Sequence, residues 1–178
     1  MKALIHAARS IEVDPLVLIA THERNERQKH YVLDQVKQRF GSDLSGRTIG
    51  IWGLAFKPGT DDVREAPALT IVRGLLEAGA EVKAFDPVAA VLFEQQLQRD
   101  LGRNERFRVV DEKYSALDGS DALLLVTEWK EFRSPDFRRI RGLLKQPMIF
   151  DGRNQYDAAR LRSEGWDYIG VGRGVAAR

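Results

Sequence analysis

The residues with the means to do chemistry are cations and carboxylates that follow short apolar runs. Lys57 lies in GLAFKPGTDD (53–62), with Arg64 just beyond it; Asp86-Pro87 closes EVKAFD; a further strand ends at Thr127-Glu128-Trp129; and Arg153 follows PMIFD in Asp151-Gly152-Arg153-Asn154. A glycine-containing loop that offers backbone N–H groups and a cation suits a phosphate. It is not a dinucleotide fingerprint. No GxGxxG follows Gly53, and Asp86 comes 33 positions after it, beyond the usual ribose-binding spacing of roughly 20. Plainer roles stay open for each residue. Lys57 fits a surface lysine as well as a ligand contact, and Arg64 reads first as a local partner of Asp61 or Asp62. Asp86-Pro87 reads first as a strand-ending turn, and Arg153 suits either a brace for Asp151 or a neighbouring carbonyl, or a ligand contact. The three tryptophans read as packing residues.

These candidates need elements to position them, and the hydrophobic pattern supplies a set. Residues 2–9 look helical, and Asp14-Pro15 reads as an N-cap with proline at the first helical position. A long helix to Phe40 follows, with apolar ends and a polar middle, THERNERQKH, which suits solvent or a polar cleft. From Ser45 strands and helices alternate: TIGIWG (48–53), a helix from Pro67 to Ala78, EVKAFD (81–86), a helix from Val88 to Leu101 and FRVV (107–110). DALLLVT (121–127) is apolar enough for the sheet centre, a helix covers Asp136–Leu144, PMIFD (147–151) is a strand, and WDYIGVG (166–172) is an edge strand. The expected fold is therefore α/β: a doubly wound, Rossmann-like parallel sheet preceded by a long helix. Residues 1–44 form the helical segment and 45–178 the sheet domain. Ligands in such sheets lie beyond the carboxyl ends of the strands, where the candidate residues fall.

Composition narrows the function. The 178 residues carry 28 Lys+Arg against 26 Asp+Glu, a formal charge of +2, too balanced for binding along a nucleic-acid duplex. There is no cysteine and there are only three histidines, so thiolate metal sites, disulfides and cysteine nucleophiles are excluded. No apolar run is long enough to span a membrane and no secretory signal is recognisable, so the expected setting is soluble and cytoplasmic.

The string IGIWGLAFKPGTDDVREAPALTIVRGLLEAGAEVKAFDP resembles the start of the UDP-binding domain of the UDP-glucose/GDP-mannose dehydrogenases, whose pattern reads roughly GLAFKPxTDDxRESP. TEWKEF, IFDGRNQYD and the NERQK of the long helix match further segments of that family, in order and over nearly the whole chain. The resemblance implies an enzyme that oxidises C6 of a nucleotide sugar twice, with two NAD, through a cysteine that forms a thiohemiacetal and then a thioester. It also implies a homodimer built on the long helix.

By the same resemblance Phe56 and Lys57 match the pair that contacts the UDP-sugar, Arg153 matches the substrate-contacting arginine, and Arg64 matches the arginine on the NAD side. FDGRN and TEW favour UDP-glucose as the substrate; GDP-mannose, another UDP-sugar, and a non-catalytic nucleotide-binding module are the alternatives. The family's cysteine lies in GGxCFPKD, just before the segment matching KALIHAAR. The chain is therefore expected to bind the UDP portion, without the cysteine or the NAD fingerprint and without turnover of its own. Two positions depart from the pattern: Ala66, where serine is common, and Arg24, where an apolar residue is usual.

Overall fold

The computed structural model describes residues 1–173. Two helices, α1 (Lys2–Ser10) and α2 (Leu16–Phe40), precede six strands: β1 (Thr48–Trp52), β2 (Glu81–Phe85), β3 (Phe107–Val109), β4 (Ala122–Leu125), β5 (Met148–Asp151) and β6 (Asp167–Gly170). The connections carry α3 (Pro67–Glu77), α4 (Ala90–Leu101), α5 (Phe137–Leu143) and α6 (Ala158–Ser163). The strands form one sheet in the order β3-β2-β1-β4-β5-β6, and every pairing is parallel. This is the doubly wound order, with its reversal between β1 and β4.

Alternation along the strands sorts the core into two layers. Ile49, Ile51, Ala122, Leu124, Met148 and Phe150 face one side, where Val32, Leu33 and Val36 of α2 join α3 and α4. Trp52, Leu123, Leu125, Ile149 and Tyr168 face the other, beneath Ile140 of α5 and Leu161 of α6. The carboxyl-terminal half of α2 thus belongs to the sheet's own core. It comes close because of Gly74: a Cβ there would lie 2.2 Å from Leu33 Cδ2. At the amino-terminal edge, buried Asp121 accepts from Thr48 N, Arg47 and Lys145 at 2.9 Å each; burial opposes its charge, but these partners hold the carboxyl below its usual range.

Several boundaries differ from the sequence expectation for physical reasons. The expected Asp14 cap is not made: Pro15 is the cap residue, no side chain caps α2, and Ile19 N donates to Pro15 O. The helix expected from Val88 starts at Ala90, because the Asp86 carboxylate first takes the Val88 and Ala89 N–H groups into a turn. Strand β4 is shorter than 121–127, since Asp121 and Thr127 are buried polar ends bonded outside the ladder. Helix α6 was not expected; Asp157 caps it, accepting from Ala159 N and Arg160 N. Strand β6 is the edge strand anticipated at 166–172.

Candidate functional site

The register sets the carboxyl ends of the central strands level: Trp52 pairs with Phe85 and Leu125, and Leu125 with Asp151. The residues that follow, Gly53, Asp86, Val126 and Gly152, therefore share one rim. At the reversal between β1 and β4 the protein fills its own crevice. Gly53, at φ +91°, lies so close to Thr127 that a Cβ would fall 2.5 Å from Thr127 Cβ and 2.6 Å from its backbone nitrogen. Thr127 Oγ1 donates to Ala55 O at 2.6 Å.

Asp86 completes the closure. Its buried carboxylate accepts from Leu54 N (2.7 Å), Ala55 N (3.0 Å) and Trp129 Nε1 (3.0 Å) on Oδ2. On Oδ1 it accepts from Val88 N (2.9 Å) and Ala89 N (2.7 Å). Five donors saturate it. In dinucleotide-binding sheets an acidic residue after the second strand takes ribose hydroxyls; here it ties three loops together and offers a ligand no free lone pair. The turn reading of Asp86-Pro87 is the one observed.

An open space lies to one side, between the polar middle of α2 and the ends of β1, β4 and β5. A cavity of about 750 Å³ is lined by Met1, Lys2 and Ala3, by His22, Asn25 and Lys29 of α2, and by Phe56, Glu65, Val126, Gly152 and Arg153 among others. The hydrophilic stretch of α2 thus faces a cleft. An ion-pair chain crosses its wall: Glu65 meets Lys2 at 2.6 Å and Lys29 at 3.0 Å, and Lys29 meets Glu26 at 2.8 Å. Hydrogen bonds from Lys2 and Lys29 hold the Glu65 carboxyl down at about 2. Burial pulls Lys29 down, but Glu26 and Glu65 outweigh it and keep the ammonium above its ordinary range. Glu65 adopts φ +60°, uncommon for a side-chain-bearing residue, at the point where its carboxylate reaches both lysines.

Arg153 is fixed from three directions. Its backbone N donates to Asp151 Oδ1 at 2.9 Å, its Nε donates to Val126 O at 2.9 Å, and Glu128 Oε2 lies 2.8 Å from the same Nε. Asp151 is itself held by Tyr156 N and the Tyr168 hydroxyl at 3.0 and 2.9 Å. Burial, then the Asp151 charge, raises the Tyr168 hydroxyl above its usual range, so it remains a donor. The two terminal nitrogens of Arg153 make no hydrogen bond among the described residues, which leaves a guanidinium fork at the cavity wall. A fork fixed at its base suits a planar or multi-oxygen anion.

The other expected residues fall in different places. Phe56 lines the same cavity and is 45% exposed, with its backbone N bonded to Asp62 O. Lys57 is exposed next to it, outside the cavity lining and with no hydrogen bond or ion pair among the described residues. Arg64 lies on another surface, its side chain 85% exposed and paired with Asp62 through two contacts of 2.9 Å, beside Leu92, Gln96 and Arg99. The Arg64 pairing holds the Asp62 carboxyl at about 2. So the cavity gathers Phe56 and Arg153, has Lys57 at its border, and leaves Arg64 elsewhere. Glu65, Lys29 and Glu128 were not singled out from sequence; only the motifs containing them were. Among the described residues no group of His, Asp or Glu is placed to hold a metal ion, and no helix is long and apolar enough to cross a membrane.

Comparison with known proteins agrees with this architecture. Residues 50–158 match the sequence model of the UDP-glucose/GDP-mannose dehydrogenase family, UDP binding domain. The chain is 44% identical over 173 residues to a UDP-glucose 6-dehydrogenase of Pseudomonas aeruginosa, a match covering 97% of the chain and 38% of that protein. It is 38% identical over 171 residues to UDP-glucose 6-dehydrogenase TuaD of Bacillus subtilis, covering 96% and 36%. A solved UDP-glucose dehydrogenase from Pyrobaculum islandicum superposes with a TM-score of 0.72 at 30% identity, over 95% of this chain and 35% of that one. The chain thus spans somewhat over a third of the length of these relatives.

Proposed function

From the premise that the chain belongs to the UDP-glucose/GDP-mannose dehydrogenase family and carries its UDP-binding domain, we propose that the cavity bordered by Arg153 holds the diphosphate of a UDP-sugar, UDP-glucose first among them. The observation that carries this is the Arg153 guanidinium, anchored through Nε to Val126 O with its terminal nitrogens unengaged at a cavity of about 750 Å³. A diphosphate brings at least two negative charges, and a preset fork meets them with little loss of rotamer freedom. Lys57, one residue beyond the cavity-lining Phe56, supplies a second, mobile point charge. Phe56 covers the ligand with apolar surface.

In this reading the whole activity is the twofold, NAD-dependent oxidation of the sugar's C6. These cysteine-free residues contribute nucleotide binding, while the thiol chemistry and the main NAD site belong to parts of the protein other than these. Arg64, outside the cavity lining and turned outward, is assigned to the NAD side. Residues 45–178 make up the nucleotide-binding unit. Residues 1–44 make a homodimer contact, supported by exposed Leu4, Ile11, Val13, Leu16 and Val17 at the junction of α1 and α2. The setting is cytoplasmic.

Calorimetric titration with UDP, GDP and UDP-glucose tests the proposal. UDP is expected to bind, and Arg153→Ala to weaken it about ten- to a hundredfold, the worth of a charge-assisted hydrogen bond at roughly 1.5–3 kcal/mol. Tighter binding of GDP than UDP would move the substrate to GDP-mannose. If Arg153→Ala and Lys57→Ala both bind UDP like the parent, the site is misplaced.

A further inference from the structure

Arg153 carries a built-in competitor. Glu128 Oε2 lies 2.8 Å from Arg153 Nε, yet that N–H donates to Val126 O instead. The same carboxylate oxygen is shut off from solvent and receives no hydrogen bond among the described residues. It is thus held beside the cation by charge alone, with an acceptor left over. A buried acceptor without a donor is unfavourable, and a rotation into solvent would relieve it. The backbone on either side is fixed: Thr127 bonds Ala55 O through its hydroxyl, and Trp129 bonds Asp86 through its indole. Glu128 can change its side-chain torsions but cannot carry its Cα away from Arg153.

We infer that Glu128 is a guard on Arg153, a carboxylate that screens the guanidinium and lowers the site's affinity for every anion alike, leaving the nucleoside contacts to decide which ligand is retained. This rests on the reading of the cavity as a diphosphate site. Any phosphate that reaches the terminal nitrogens of Arg153 comes near the Glu128 charge and is opposed by it. Inorganic phosphate or pyrophosphate has only the electrostatic attraction to offset that repulsion. A nucleoside diphosphate adds contacts to the apolar wall of Phe56 and Val126, which are indifferent to it. The carboxylate therefore lowers affinity for all anions but leaves the nucleotide ahead.

The test is isosteric. In Glu128→Gln the shape is kept and the charge removed, so pyrophosphate and UDP should both bind about two- to fivefold more tightly, the range set by one partly exposed charge pair. The gain should shrink as salt is raised, and it should vanish in the Arg153→Ala background. Unchanged or weaker binding by Glu128→Gln overturns the guard role, as does a gain that persists without Arg153. The two readings fail separately. A parent that binds UDP through Arg153, with a Gln variant that binds no tighter, removes the guard alone. A parent that binds neither UDP nor pyrophosphate removes both.

Discussion

Asp86→Asn isolates the joint that holds the rim of the sheet together. The side chain is 4% exposed and accepts five hydrogen bonds, three on one oxygen and two on the other. Asparagine keeps the shape but has only one acceptor oxygen. In its better orientation the oxygen serves Leu54, Ala55 and Trp129, and the amide group then faces the Val88 and Ala89 N–H groups, two donors meeting two donors. Each buried donor left without an acceptor costs about 1–3 kcal/mol, and the three surviving bonds lose their charge assistance. A net loss of about 3–5 kcal/mol follows, a large share of the roughly 5–15 kcal/mol that holds a domain folded. With a urea m-value near 2 kcal/mol/M, this lowers the unfolding midpoint by about 1.5–2.5 M. The weakened Trp129 bond should show as a change in indole fluorescence. A midpoint shift corresponding to under about 1 kcal/mol would refute the assignment of Asp86 as the joint.

Three further outcomes are expected. Gly53→Ala forces a Cβ to within 2.6 Å of Thr127 N at φ +91°; it should cost about 2–4 kcal/mol by thermal melting, and a near-neutral result would mean the crevice is looser than described. Glu65 has its folded-state pKa depressed from 4.5 to about 2 by Lys2 and Lys29, so the stability it contributes is present above about pH 4.5 and is lost as the pH falls toward 2. Glu65 is half exposed, so its contribution is that of a surface pair, under about 1 kcal/mol; the urea midpoints of parent and Glu65→Gln should differ at pH 7 and converge near pH 2, and a constant gap would refute the pairing. Light scattering of the parent should give about twice the 20.1 kDa chain mass. Leu16→Glu with Val17→Glu should return it to one copy; a parent that is already single rules out the α1–α2 contact.

The strands could be read from sequence because parallel strands buried on both faces must be continuous apolar runs, and ALLL of β4 is buried at every position. Element ends were less readable where a side chain diverts the backbone. Asp86 shortens α4 at its start by capping Val88 and Ala89. Helix α6 was missed although Asp157 before Ala158 is an ordinary cap signal, because six residues are too few to display a helical period. The sequence shows α2 with two apolar ends but not what covers each: Val32, Leu33 and Val36 are consumed by the sheet, while Leu16 and Val17 at the amino-terminal end stay exposed.

The candidate site divides along the same line. Arg153 could be anticipated because its position, two residues past a buried strand, decides where it lies. Glu65 and Glu128 could not, because their roles come from pairings between distant residues, 2 with 65, 29 with 65, and 128 with 153, which spacing does not encode. The spacing carries one further reading: no glycine fingerprint follows β1, and Asp86 lies beyond the usual ribose-binding spacing. The geometry supplies the cause. With Thr127 against Gly53 and Asp86 saturated by the loop after β1, the rim that a dinucleotide would occupy is closed by the chain itself. Among the described residues a cavity opens on the α2 side of β4 and β5. On the proposed reading, a sheet with dinucleotide-binding topology serves as a receptor on that side, with Arg153 as its fixed cation and the polar stretch of α2 as its wall.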